Sequence, residues 1–246
     1  SSCSMRLKPN ENSPLETECL FGETVEVLDN YSSWLYCRLL TDNYKGWIIK
    51  NCVGYIPSTT HRVISKMSLL YETKNVKSNC IHYLPLGSQL SVEKIEENWA
   101  VVNLSDNFKN KIAYVPSNHI VSIDNIHKDW VSVAEKLVGT PYKWGGRDSI
   151  SLDCSALLQL SYQTSGINIP RNTIDQVKIK NKIIYDIDKL DRGFVVFWEG
   201  HVGIMVDRYN CIHANATHMK TTLEPLNDII LRMNKENDLI KIMDFN

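Results

Sequence analysis

No apolar run in this chain approaches the roughly 18 residues that carry a helix across a bilayer, so no membrane-spanning helix is expected. An excess of one charge is also missing. Lys and Arg number 27 against 28 Asp and Glu, a net charge of −1. Such a chain has no long-range field with which to hold nucleic acid or an anionic membrane surface. The first ten residues, SSCSMRLKPN, lack an apolar stretch of signal-peptide length, and no export signal is read from them. The seven cysteines (Cys3, Cys19, Cys37, Cys52, Cys80, Cys154 and Cys211) are odd in number and scattered, which excludes a compact disulfide framework. A reducing, cytoplasmic setting is the expectation. CxxC and HxxxH spacings are absent, and so is the GxxxxGK[ST] frame of a phosphate loop. Gly145-Gly146 resembles such a loop only superficially. No metal, nucleotide or other cofactor is expected.

What remains is ordinary globular material: 246 residues, 43% hydrophobic and 22% charged, enough for a core and for one or two domains at about 150 residues each. The first half carries an internal repeat. Gly22 and Gly87 each open an alternating run, and Trp34 and Trp99 follow at the same spacing. Asp42-Asn43-Tyr44 and Asp106-Asn107-Phe108 come next, and then a second aromatic strand around Trp47 or Tyr114. Alternation broken by frequent turn residues predicts small antiparallel barrels. The expected division is 1–57 for one barrel, 58–123 for a second, and 124–246 for the remainder. One larger β domain is the competing reading.

After Ile123 the texture changes. Between Ile126 and Val138, Trp130, Val133, Ala134 and Leu137 recur with helical spacing, and Gly139 and Pro141 end the run. A second helix is predicted from about Asp153 to Ser165, capped by Asp153 or Ser151 and closed by Gly166. Phe194–Trp198, His201–Val206 and Cys211–Ala216 then read as strands, the first two joined by a tight turn at Glu199-Gly200. Helices followed by strands predict an α+β domain.

The chemistry gathers on Cys154. It stands where a polar stretch becomes an apolar helix, and a thiol in a first helical turn feels the positive end of the dipole, which favours thiolate. A nucleophile needs a base, and the base needs a third group to hold it. His201 and His213 lie on consecutive predicted strands, which can bring both imidazoles to one edge. His201 would then take the thiol proton and His213 would orient His201. On the residues alone, Cys154 as a buried hydrophobe and the histidines as structural groups remain open. So does a zinc site drawn from Cys154, His201, Cys211 and His213, although the spacing disfavours it.

The order of motifs narrows the choice. Gly139-Thr140-Pro141-Tyr142-Lys143-Trp144-Gly145-Gly146, Asp153-Cys154-Ser155, Ile169-Pro170-Arg171 with Gln176, and the His201 and His213 strands resemble the NlpC family of cell-wall peptidases. The resemblance implies a papain-like catalytic domain with Cys154 as nucleophile, His201 as base and His213 as the orienting residue. It further implies that the N-terminal half forms two bacterial SH3-like barrels, with Leu20-Phe21-Gly22-Glu23 and Asp42-x-Tyr44-x-Gly46-Trp47 in the first. The subgroup it resembles comprises the γ-D-glutamyl-L-diamino acid endopeptidases. These cut murein stem peptides bearing a free N-terminal L-Ala, release L-Ala-γ-D-Glu, and serve peptide recycling or scavenging.

The site residues follow from the same resemblance. Asp153, Ser155 and the barrel's Tyr44 match the residues facing the substrate's amine, a cation that needs a carboxylate and neutral acceptors. Tyr142 matches a tyrosine near the scissile carbonyl. Thr173 keeps the hydroxyl of the subgroup's Asp-Ser pair, and Asn172 replaces its charge. Glu18 is a further acidic candidate. The expected partner is a murein peptide, with neither nucleic acid nor membrane involved. A lysin or amidase of the same fold acting on intact wall, and a non-catalytic cell-wall peptide-binding protein, are the alternatives.

Overall fold

The computed structural model describes residues 2–233 and 239–246. Contacts divide the chain into two compact units, Ser1–Ile126 with Arg147–Ser149, and His127–Gly146 with Ile150–Asn246.

The first unit holds two antiparallel sheets. Strands β1 (Cys3–Arg6), β2 (Leu15–Cys19), β3 (Val25–Tyr31), β4 (Trp34–Leu39) and β5 (Lys45–Ile49) pair in the order β2-β1-β5-β4-β3. Met5, Cys19, Cys37, Leu39 and Ile48 fill that sheet's core. Strands β6 (His61–Val63), β7 (Met67–Tyr71), β8 (Cys80–Pro85), β9 (Gln89–Glu96), β10 (Trp99–Asn103), β11 (Ile112–Pro116) and β12 (Ile120–Ser122) form the second, in the order β12-β6-β9-β10-β11-β7-β8. Its core is a separate cluster around Val63, Leu70, Leu84, Leu90, Val102 and Val115.

The repeat in the sequence is a repeat of one hairpin. Tyr31 pairs with Trp34 and Glu96 with Trp99, so each hairpin turns on two residues. The first of these, Ser32 or Glu97, has φ near +50° (51° and 53°), a conformation that admits the right-handed twist of the flanking strands. Gly22 and Gly87, which open the two copies, have φ of 78° and 86°, a region that glycine enters without a Cβ penalty. Arg147 belongs to this unit. It is fully buried, and its guanidinium meets Glu23 at 2.7 Å.

The second unit sets helices on a six-stranded sheet. Its helices are α1 (Val131–Lys136), α2 (Cys154–Gln163), α3 (Thr173–Gln176) and α4 (Leu226–Met233). Its strands are β13 (Lys182–Ile184), β14 (Phe194–Trp198), β15 (His201–Met205), β16 (Asn210–Asn215), β17 (Lys220–Pro225) and β18 (Leu239–Asp244), ordered β13-β18-β14-β15-β16-β17. Every residue of β14 is buried, the mark of a strand covered on both faces. Phe194, Val196 and Trp198 join Met205, Cys211 and, from α4, Leu226 and Ile229 in one cluster. Helix α2 packs on β15 and β16.

The first helix is shorter than its periodicity predicts. The Trp130, Val133, Ala134 and Leu137 stripe is buried as expected, but the helix spans only Val131–Lys136. The His127 N–H goes to the Thr164 carbonyl at 3.0 Å instead of joining a helical ladder, and Gly139, at φ 83°, turns the chain so that its N–H reaches Thr221 O. The second helix starts where it was read. Asp153 caps it by accepting the Ala156 N–H, and Gly166, at φ 80°, follows its last turn.

Candidate active site

The strand geometry brings the two histidines together. Trp198 pairs with His201 across the Glu199-Gly200 turn, which starts β15 on a histidine. Met205 pairs with Cys211 on the next strand. Side chains alternate along each strand, so His201 and Met205 on β15 share a face with Cys211 and His213 on β16. His201 Nε2 lies 2.8 Å from His213 Nδ1. That contact leaves Nδ1 as the free nitrogen of His201 for proton transfer.

Cys154 opens α2. Its Sγ lies 4.0 Å from Thr173 Oγ1, at the start of α3, and 3.9 Å from the carbonyl of Gly200, the residue before His201. The thiol is almost wholly buried, and burial is the main force raising its pKa to about 11, with the neighbouring Asp153 charge adding to it. Hydrogen bonds from Thr173 and the Val202 backbone, and the charge of Arg171, pull the other way. Loss of water around the sulfur outweighs the helix dipole, and the group rests as a thiol at neutral pH. Burial, then His213 and Arg232, depress His201 to about 3, so it rests as a neutral base.

The loop before α2 is organised by a buried arginine. Arg171 places Nη1 2.9 Å from Asp153 Oδ1 and Nη2 2.7 Å from Asp153 Oδ2. Ser155 Oγ donates to Asp153 at 3.1 Å and accepts from Arg171 at 2.7 Å. Asp153 also takes the N–H groups of Ala156 and Gly145. These five hydrogen bonds exceed the roughly four lone-pair sites of a carboxylate. Asp153 and Ser155 both help to hold the start of α2. Gly145, at φ 75°, supplies one of those N–H groups, and a Cβ on Gly146 would stand 2.7 Å from Ser151 O. The glycine pair serves a close backbone turn around Asp153.

The other candidates fall as follows. Tyr142 is half-buried, and its N–H donates to Met219 O, next to β17. Burial, followed by the Cys154 and Asp153 charges, raises its phenol well above the ordinary range, so it stays a neutral donor. Asn172 takes the cap position of α3 without a side-chain bond, and Gln176 ties Ser155 O to Pro170 O. Tyr44 and Glu18 belong to the first unit. The Tyr44 hydroxyl donates to Glu16 at 2.8 Å, and Glu18 accepts the Arg147 N–H at 2.9 Å. Cys211 is fully buried with its pKa raised by burial, and its sulfur stands over Gly203. Among the described residues no group of three or more His, Cys, Asp or Glu side chains stands in metal-holding geometry.

One neighbour was not read from the sequence. Glu224 Oε1 lies 2.8 Å from His213 Nε2. The signal is in the hairpin register: with His213 opposite Thr222, Glu224 falls two residues along on the same face.

A thiol that opens α2 and two imidazoles in hydrogen-bond contact on the strands α2 packs against are the groups a cysteine peptidase uses, here on an α+β unit. Residues 139–234 match the NlpC/P60 family, and residues 5–51 match the bacterial dipeptidyl-peptidase Sh3 domain. The chain carries an NlpC/P60 cysteine peptidase domain, preceded by a bacterial dipeptidyl-peptidase SH3 domain. It is 26% identical over 232 residues to Dipeptidyl-peptidase 6 of Lysinibacillus sphaericus, covering 85% of this chain and 83% of that protein. It is 24% identical over 244 residues to the Gamma-D-glutamyl-L-lysine dipeptidyl-peptidase of Bacillus cereus, covering 87% and 71%. A crystal structure of an NlpC/P60 family protein from Bacillus cereus shares the fold with a TM-score of 0.84, at 18% identity, over 99% of this chain and 97% of that one.

Proposed function

We propose that this protein hydrolyses the γ-D-glutamyl–diamino acid bond of murein stem peptides that carry a free N-terminal L-Ala. The observation that carries the proposal is the 2.8 Å contact from His201 Nε2 to His213 Nδ1, in a unit whose α2 begins at Cys154. Names of relatives that span most of the chain support the choice of bond. As substrate binds, His201 Nδ1 takes the thiol proton while sulfur attacks the γ-carbonyl carbon. The tetrahedral intermediate collapses to a thioester as His201 returns the proton to the leaving amine of the diamino acid. His201 then removes a proton from water, which cleaves the thioester and frees the γ-carboxylate of L-Ala-γ-D-Glu together with the Cys154 thiol. Tyr142, kept neutral, is the proposed donor to the oxyanion. Thr173 is proposed to steady the sulfur and face the substrate. A cytoplasmic recycling setting belongs to the same proposal.

The test is mass-spectrometric. L-Ala-γ-D-Glu-meso-diaminopimelate is compared with its N-acetylated form and with intact sacculi. Cleavage confined to the free amine is the expected result. Equal cleavage of all three would replace the proposal with a wall lysin, and cleavage of none would replace it with a binding protein.

A further inference from the structure

Glu224 lies outside every motif that marks the catalytic residues, yet several donors converge on its carboxylate. Oε1 accepts from His213 Nε2 at 2.8 Å and from Thr222 Oγ1 at 3.0 Å. Arg232, in the last turn of α4, grips both oxygens at 3.1 Å. His218, in the β16–β17 turn, stands 3.2 Å from Oε1. Burial raises the carboxyl, but the bonds from His213, Thr222 and Arg232 outweigh it and hold the pKa at about 2. Glu224 is therefore ionised at any working pH and can only accept hydrogen bonds.

The positions of the protons follow. The hydrogen between His213 Nε2 and Glu224 belongs to His213. Burial keeps His213 neutral, against the pull of Glu224 and aided by Arg232 and His218. A neutral imidazole carries one N–H, so His213 Nδ1 holds a lone pair. The contact with His201 Nε2 is then a hydrogen bond only if His201 carries its hydrogen on Nε2. Asn215 offers the competing donor, with Nδ2 3.3 Å from His213 Nε2. Its amide is turned by the His218 N–H on Oδ1, and Nδ2 bonds Thr222 Oγ1 at 2.8 Å, which hands its own hydrogen to Glu224.

We propose that Glu224 is a positioning residue that sets the tautomers of His213 and His201 in series, so that His201 presents an unprotonated Nδ1 to the Cys154 thiol. This rests on the peptidase reading above. The proton order then runs from Glu224 outward: carboxylate, N–H of His213, lone pair of His213, N–H of His201, lone pair of His201. When His201 accepts the thiol proton, the His213 lone pair polarised by Glu224 stabilises the imidazolium. A misplaced tautomer one bond from a nucleophile is among the costlier faults of a triad, worth up to about 10⁴-fold.

The test is Glu224→Gln beside Glu224→Asp. The glutamine amide donates to His213 Nε2, which reverses the chain and leaves His201 with its hydrogen on Nδ1. For E224Q, kcat on the γ-D-glutamyl peptide should fall at least about tenfold with KM nearly unchanged. E224D, which keeps the charge, should recover part of the loss. The alkaline limb of Cys154 alkylation by iodoacetamide should move to higher pH in E224Q. Nitrogen-15 histidine spectra of the wild-type protein should show the Nε2–H tautomer at His201. Wild-type kcat and an unmoved alkylation limb in E224Q would overturn the proposal, and so would a wild-type His201 protonated on Nδ1. If the wild-type protein cleaves no γ-D-glutamyl peptide, the substrate reading fails by itself. The spectra and the alkylation limb, which need no substrate, still decide the role of Glu224, and where E224Q does not fold the wild-type spectra and the E224D alkylation limb decide it.

Discussion

Two thiols in the catalytic unit are buried almost equally. Cys154 is 7% exposed and Cys211 is 0% exposed. Both are raised by burial, so desolvation does not separate them. Their surroundings do. Cys154 meets a hydroxyl, a backbone N–H and the field of Arg171, and it opens a helix that Asp153 caps. Cys211 sits near the start of β16 in the apolar cluster of Phe194, Trp198 and Met205, above a glycine. A buried sulfur becomes chemistry only where donors are arranged to take up the charge that develops on it. The sharpest break of this comparison is substitution. Cys154→Ala should lower the rate on the γ-D-glutamyl peptide by more than about 10³-fold, as loss of a nucleophile does. Cys211→Ala should keep kcat within about twofold, since it removes one sulfur atom that the proposed steps do not use. Iodoacetamide should label Cys154 increasingly as pH rises toward 11, because the thiolate fraction grows as pH nears the raised pKa. It should not label Cys211 until the protein unfolds. Peptide mapping by mass spectrometry reads both, and equal labelling of the two in the folded state would erase the distinction.

The next break lies beneath Cys154. Arg171 has 1% of its side chain exposed and bridges Asp153. Replacing it with methionine leaves a buried carboxylate without its cation, at a cost of about 3–5 kcal/mol. Arg171→Met should therefore show a urea midpoint far below that of the wild-type protein and lose the ordered start of α2. Arg192, by contrast, pairs with Asp129 and Glu135 at the surface, with a third of its side chain exposed. Arg192→Ala should cost under about 1 kcal/mol. Similar midpoints for the two variants would show that burial does not amplify the Arg171 pair.

The sequence disclosed the parts that local rules control. The cap at Asp153, the positive-φ glycines at Gly22, Gly87 and Gly166, and the twinned hairpins at Trp34 and Trp99 are fixed within a few residues of chain. The histidine pair was legible because His201 and His213 stand on consecutive strands. Parts that depend on long-range packing were not legible. Glu224 has no motif, and finding it requires the register of the β16–β17 hairpin across a four-residue turn. The helix dipole at Cys154 is visible in sequence, whereas the burial that opposes it is not. The hold of Arg171 on Asp153 and Ser155, across sixteen or more residues, is likewise set by packing that the sequence does not display.

The gentlest test acts on the packing around Cys211. An ideal Cβ on Gly203 would stand 2.5 Å from Cys211 Sγ and 3.6 Å from His213 Cβ. The sulfur is fully buried, so the clash can be relieved only by moving a strand or turning the thiol off its rotamer. Gly203→Ala should therefore cost about 1–3 kcal/mol, the usual range for overpacking a core. The partner change supplies the control. In a Cys211→Ala background the obstructing atom is gone, and the added methyl fills the space it leaves. The double variant should recover most of the stability lost by Gly203→Ala, so the two changes should be strongly non-additive in a thermodynamic cycle. Because the methyl also approaches the backbone side of His213, kcat should recover in the double variant together with stability. Additive costs would mean that the strain at Gly203 comes from Trp198 or the strand itself, and that Cys211 packs more loosely than its burial implies.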